Sequence, residues 1–146
     1  MRDGSARARS AARRLLVQAL YQRQLGGQPW QDLHRQFSAD PAFERADPDY
    51  FAAALAATCD DSLRLDDELR RHSDIEPARL DPVEHAILYL GLWELMTRLD
   101  IPYRVVINEA VELAKRFGAT DGHRYVNAVL DKASRVHRGV ERGEVA

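Results

Sequence analysis

The 146-residue sequence holds one cysteine, Cys59, so no intramolecular disulfide can form. Lysine is nearly missing: Lys115 and Lys132 are the only two, and the other basic residues are arginines. No apolar run approaches the ~18–20 residues of a membrane span. The longest candidate, Ala86 to Met96, is short and contains Glu94. The basic N-terminus is followed by no apolar stretch, so it does not have the pattern of a signal peptide. No segment alternates apolar and polar residues between turns, which excludes readable strands. Neither G-x-G-x-x-G nor G-x-x-x-x-G-K-[ST] occurs, so no nucleotide cofactor is expected. The histidines, His34, His72, His85, His123 and His137, do not pair with one another or with Cys59 at metal-ligand spacing, so no metal is expected either. No acid–base–nucleophile constellation stands out, and no catalysis is expected. What is left is a reduced, cytoplasmic, globular chain whose length favours one domain.

The net charge of −2 hides an uneven distribution. Residues 1–23 carry six arginines against one aspartate, a balance of +5, whereas residues 40–76 carry eleven acids against four bases, a balance of −7. Arg2, Arg7, Arg9, Arg13 and Arg14 form a short arginine-rich segment, with Gln18 and Tyr21 one and two turns further on. Such a segment can neutralise an RNA backbone, while a glutamine can bond a base edge and a tyrosine can stack on an unpaired base. The same pattern also fits a solvated helix face.

Helical periodicity runs through the chain, with about six or seven segments. Arg7 to Leu25 carries an apolar stripe of Leu16, Ala19 and Leu20 and stops at Gly26-Gly27. A short helix is expected over Pro29–Phe37. Asp47-Pro48 opens the longest segment, to His72, whose solvated face accounts for most of the acidic block. Asp81-Pro82-Val83-Glu84 combines a side-chain cap, a proline at the first position and a glutamate that can reach back. The helix after it, to about Leu99, is apolar on nearly every side and reads as the buried centre. Another starts at Pro102 and ends at Gly118, and Thr120 or Asp121 caps the last. Asn108 and Asn127 are read as amides that bond between helices. The segment from Arg138 to Ala146 reads as a frayed, disordered tail.

Three stretches resemble the NusB family of transcription antitermination factors. They are Asp81-Pro-Val-Glu-His-Ala-Ile-Leu with Leu92-Trp-Glu-Leu, Asp100 through "IPYRVVINEAVELAKRFG", and Asp121-Gly-His-Arg-Tyr-Val-Asn-Ala-Val-Leu-Asp-Lys-Ala. Ala12-Arg-Arg-Leu-Leu-Val-Gln-Ala-Leu-Tyr-Gln-Arg-Gln-Leu is similar to the family's first helix. The resemblance implies an all-α fold of about seven helices in two packed halves, about 5–72 and about 81–137, with a disordered tail at about 138–146. It also implies an RNA-binding adaptor that, with the ribosomal protein NusE, holds boxA-type single-stranded RNA. That adaptor works with other Nus factors and RNA polymerase, notably on ribosomal RNA operons. A helical interaction module or homodimer without an RNA role is the alternative. NusB-like domains fused to ribosomal RNA methyltransferases need a second domain that binds S-adenosylmethionine, for which 146 residues are expected to leave no room.

By the same resemblance the RNA face comprises Arg7, Arg9, Arg13, Arg14, Gln18 and Tyr21, with Gly118, Thr120 and Asp121 before the last helix. Asp121 either accepts from a base amino group or caps that helix. Glu84, Tyr89 and Tyr125 match positions that meet the protein partner or the RNA beside it. Glu84 has the capping box as its alternative, and Tyr125 a place at the core edge. Tyr89 stands where many relatives carry arginine.

Overall fold

In the computed structural model, residues 2–144 are described, with side chains from Ser5 onward. They form eight α-helices and two short 3₁₀ helices, with no strand among the described residues. The helices are α1 (Arg2–Gly26), α2 (Trp30–Ser38), α3 (Pro48–Asp60), α4 (Ser62–His72), α5 (Pro82–Thr97), α6 (Tyr103–Phe117), α7 (Gly122–His137) and α8 (Gly139–Arg142). The chain divides into two compact units, Met1–Asp61 and Ser62–Ala146.

In the first unit α1 packs on α2 and α3. Leu16 and Leu20 of α1, Leu33 and Phe37 of α2, and Phe51 and Leu55 of α3 are all buried. Phe51 collects the aromatic rings, with Phe43 edge-on at 5.2 Å and Phe37 at 6.5 Å. Asp47 caps α3 by accepting the Tyr50 N–H at 3.0 Å, and Pro48 takes the first position, as the dipeptide predicts. Cys59 is free and buried on α3, and burial pushes its thiol up.

In the second unit α5 is the centre, in contact with α4, α6 and α7. Every residue from Ala86 to Leu95 is buried, because this helix has no polar face to turn outward. Asp81 caps it by accepting the N–H groups of Val83 at 2.9 Å and Glu84 at 3.3 Å.

Two expectations are corrected. The segment Pro48–His72 is not one helix: it breaks at Asp61, where the two units also divide. Asp60, Asp61 and Ser62 stand in a row there, and such side chains compete with the helix for its own backbone groups.

The tail expected to fray at Arg138 instead forms α8 and is docked. Arg138 is 4% exposed. Its guanidinium donates to the carbonyls of Leu95 at 2.9 Å, Ile101 at 2.8 Å, Glu94 at 3.0 Å and Arg98 at 2.8 Å, and to Glu141 Oε2 at 2.6 Å. The Glu94 and Arg98 carbonyls also accept the N–H groups of Arg98 and Ile101, whereas past the end of α5 the carbonyls of Leu95 and Ile101 take their donors from this planar fork. Arg142 adds a second pin, donating to Asp131 Oδ1 at 3.2 Å and Ser134 Oγ at 2.9 Å. Residues 145–146 lie outside the described residues.

Glu141 closes this dock, accepting the Tyr103 N–H at 2.9 Å. Burial raises its carboxyl pKa, but the Tyr103 N–H and the Arg138 guanidinium outweigh burial and hold it below the ordinary glutamate range. The folded value is therefore lower than the unfolded one. The stabilisation is fully present above the ordinary range and is lost as pH falls through the depressed value. The protection factor of the Tyr103 amide is expected to fall as pH drops through the depressed value, and a protection factor that does not change across the acid range would refute the linkage.

Candidate nucleic-acid interface

At about 100° per residue, Arg7, Arg14, Gln18 and Tyr21 fall within about 60° of one another around α1, along about 21 Å of its axis. Arg7 and Gln18 are exposed, Arg14 is half-buried, and Tyr21 is 38% exposed. Gln18 donates to the Arg14 carbonyl at 3.1 Å, which leaves its amide oxygen outward. Neither Arg7 nor Arg14 has an ion-pair partner among the described residues. Among the described residues the stripe thus offers two guanidinium groups outside any ion pair, an amide and a phenol ring.

Two of the arginines assigned to this face are not on it. Arg13 is 2% exposed, and its guanidinium lies 5.4 Å from the centre of the Tyr50 ring. Seven residues before Leu20, it shares the buried side of α1, so it ties α1 to α3 rather than facing a ligand. Arg9 is half-buried and points roughly opposite to Arg7 on the helix wheel. The side chain of Arg2 lies outside the described residues.

The second predicted cluster is the loop between α6 and α7. Gly118 ends α6, and a Cβ on it would lie 2.7 Å from the Ala114 carbonyl oxygen, so only glycine fits. Thr120 and Asp121 are exposed. Asp121 does not cap α7 with its side chain, contrary to the capping expectation. Its backbone is left-handed, with φ +66°, the one such non-glycine residue among the described residues. Aspartate tolerates that region better than most residues, at a cost of about 1 kcal/mol. The Asp121 carboxylate instead lies 3.7 Å from Arg124 Nε, both groups being solvated.

The three residues assigned to a protein partner present little surface. Glu84 is 8% exposed and sits behind the first turn of α7, so that a Cβ on Gly122 would come within 2.5 Å of its Oε1. Its carboxyl pKa is raised by burial and by the neighbouring Asp81 carboxylate. Glu84 is therefore a support for the loop before α7. Gly122→Ala is expected to displace the flexible end of the Glu84 side chain at a cost of about 1 kcal/mol or less, measured by thermal melting; a loss of several kcal/mol would show that Glu84 has nowhere to move.

Tyr89 is 8% exposed, and its hydroxyl donates to Asp66 Oδ1 at 2.7 Å. His85 Nε2 lies 2.8 Å from the same oxygen, with its ring edge-on to Tyr89 at 4.4 Å. The Tyr89 ring is thus built into the unit's own hydrogen bonding. Tyr125 is half-buried, its hydroxyl paired with Ser73 Oγ. Burial, with the Glu84 and Asp74 charges, raises its pKa against the opposing Ser73 bond.

Asn108 and Asn127 correct the opposite way. Both are exposed, and neither makes a side-chain hydrogen bond among the described residues. At about 100° per residue, Asn108 lies about 200° from the buried Val106, a phase readable from the sequence. These amides are available for recognition from outside.

The sequence pattern of the NusB family matches residues 10–135. The transcription antitermination protein NusB of Halorhodospira halophila is 47% identical over 144 residues, covering 97% of this chain and 92% of that protein. Its counterpart in Pseudomonas syringae pv. tomato is 44% identical over 138 residues, covering 94% and 84%. Among solved structures, T. maritima NusB superposes with a TM-score of 0.77 at 27% identity, covering 94% of this chain and 97% of that one. A structure of the antitermination factors NusB and NusE in complex with double-stranded RNA has a TM-score of 0.76 at 23% identity, covering 89% and 98%, and shares the fold. An all-helical chain matched over nearly its whole length by sequence and by fold has one assignment: it belongs to the NusB family.

Proposed function

We propose that the chain is an RNA-binding adaptor of transcription antitermination, and that it pairs with NusE to hold boxA-type RNA in nascent transcripts, notably of ribosomal RNA operons. Other Nus factors and RNA polymerase join it in the larger assembly, in the cytoplasm. No helix among the described residues is long and apolar enough to cross a membrane. We assign it no catalytic step and no organic cofactor.

The observation that carries this reading is the outward stripe of Arg7, Arg14, Gln18 and Tyr21 on α1. Unpaired arginines attract phosphates, and an exposed tyrosine ring favours an unpaired base over a stacked pair. The related complex contains NusE and double-stranded RNA, so both RNA forms belong in the test.

The experiment is RNA affinity at fixed salt for a boxA strand, a scrambled strand and a duplex, each with and without NusE. Tightest binding to the boxA strand, further tightened by NusE, is expected. NusE must then bind more tightly to the RNA-loaded chain by the same factor. Equal weak binding to all three, indifferent to NusE, would overturn the proposal.

A second reading, a homodimer without an RNA role, rests on exposed Leu99, Val136 and Val140, which line one surface groove. Sedimentation across a concentration range separates it from the first: a constant monomer mass rejects it.

A further inference from the structure

The sequence offers no histidine pair at metal-ligand spacing, yet the second unit assembles one. Glu68 and His72 stand four residues apart on α4 and so share a face. His137, the last residue of α7, reaches the same point from across the unit. One ligand atom of each lies within 4.8 Å of the others. Glu68 Oε2 is 3.3 Å from His72 Nε2 and 3.0 Å from His137 Nε2. Donors on a tetrahedral Zn²⁺, each bonded at 2.0–2.1 Å, are about 3.3 Å apart. The two imidazole rings meet at 75° with centroids 6.4 Å apart, so they converge on one point instead of stacking.

We propose that Glu68, His72 and His137 form a Zn²⁺ site joining the C-terminal ends of α4 and α7. Two imidazole nitrogens and one carboxylate oxygen suit zinc, whereas Mg²⁺ and Ca²⁺ select all-oxygen sites. The donors are already sheltered: side-chain exposure is 9% for Glu68, 9% for His72 and 21% for His137. They are also held. Arg71 lies 3.4 Å from the other Glu68 oxygen, Oε1, which leaves Oε2 for the ion, and the buried Arg138 fixes the backbone next to His137. Each imidazole binds as the neutral ring with its proton on Nδ1. Three protein ligands leave the fourth position for water or an incoming group.

The test uses the full chain after treatment with a chelator. Calorimetric titration with Zn²⁺ is expected to show one site, and Co²⁺ to give the visible bands of a four-coordinate ion. His72→Gln and His137→Gln are each expected to weaken the site at least tenfold, and His123→Gln, on α7 but outside the cluster, to leave it unchanged. Melting in chelator shows whether each variant still folds. In the wild-type chain, one equivalent of Zn²⁺ should shift the ring resonances of His72 and His137 and spare those of His34, His85 and His123, a readout that needs no variant. Absence of a one-to-one site, or shifts centred on the other histidines, would reduce the cluster to a hydrogen-bonded trio and overturn the proposal.

Discussion

Arg138→Ala is expected to cost roughly 3–5 kcal/mol and to lower the melting temperature by about 10 °C or more. The guanidinium reaches four carbonyls at the end of α5 and its following turn, and it pairs with Glu141. Alanine leaves the Leu95 and Ile101 carbonyls without their donor in a dry site, whereas those of Glu94 and Arg98 keep the N–H groups of Arg98 and Ile101; each unmet buried group costs about 1–3 kcal/mol. Arg138→Lys is expected to restore only part of the loss, because one ammonium cannot span a planar array of acceptors. Chemical denaturation gives the same quantity independently. A loss below about 1 kcal/mol for the alanine variant would show that water replaces the clamp.

The second large effect concerns Tyr21. Its ring is the exposed aromatic of the α1 stripe, and stacking on a base is worth about 1–3 kcal/mol. Tyr21→Ala should therefore weaken RNA binding by about 5- to 150-fold with the fold intact, while Tyr21→Phe keeps most of the affinity. Arg13→Ala is expected to do the reverse. It removes a buried stem and the contact over Tyr50, so it lowers stability, and at temperatures where the variant remains folded RNA affinity stays near that of the wild type. Loss of affinity in folded Arg13→Ala equal to that in Tyr21→Ala would place the RNA on a different side of α1.

Much of this was legible in the residue order. The Asp47-Pro48 and Asp81-Pro82 starts act locally, and both cap as expected. The buried centre at α5 follows from a helix with no polar side. The resemblance named Arg13 for the RNA face, although its spacing from Leu20 places it inside. Asn108 carried the opposite signal in its helical phase, whereas Asn127, about 60° from the buried Leu130, did not.

The remainder depends on partners distant in sequence. Arg138 meets carbonyls 37 to 44 residues away, and His137 meets Glu68 across 69. No local pattern marks a polar tail that docks, or two histidines that meet only after folding. The left-handed Asp121 was invisible for a related reason: its conformation comes from the turn between two packed helices.

The central claim is that the outward stripe of α1 carries the RNA contact through its unpaired arginines. The most direct measurement is the salt dependence of affinity for the boxA strand in wild type and in the Arg7→Ala/Arg14→Ala double variant. Each phosphate contact on a single strand contributes about 0.7 to the slope of log affinity against log salt, so the slope should fall by about 1.4 in the double variant. An unchanged slope with unchanged affinity would contradict the account.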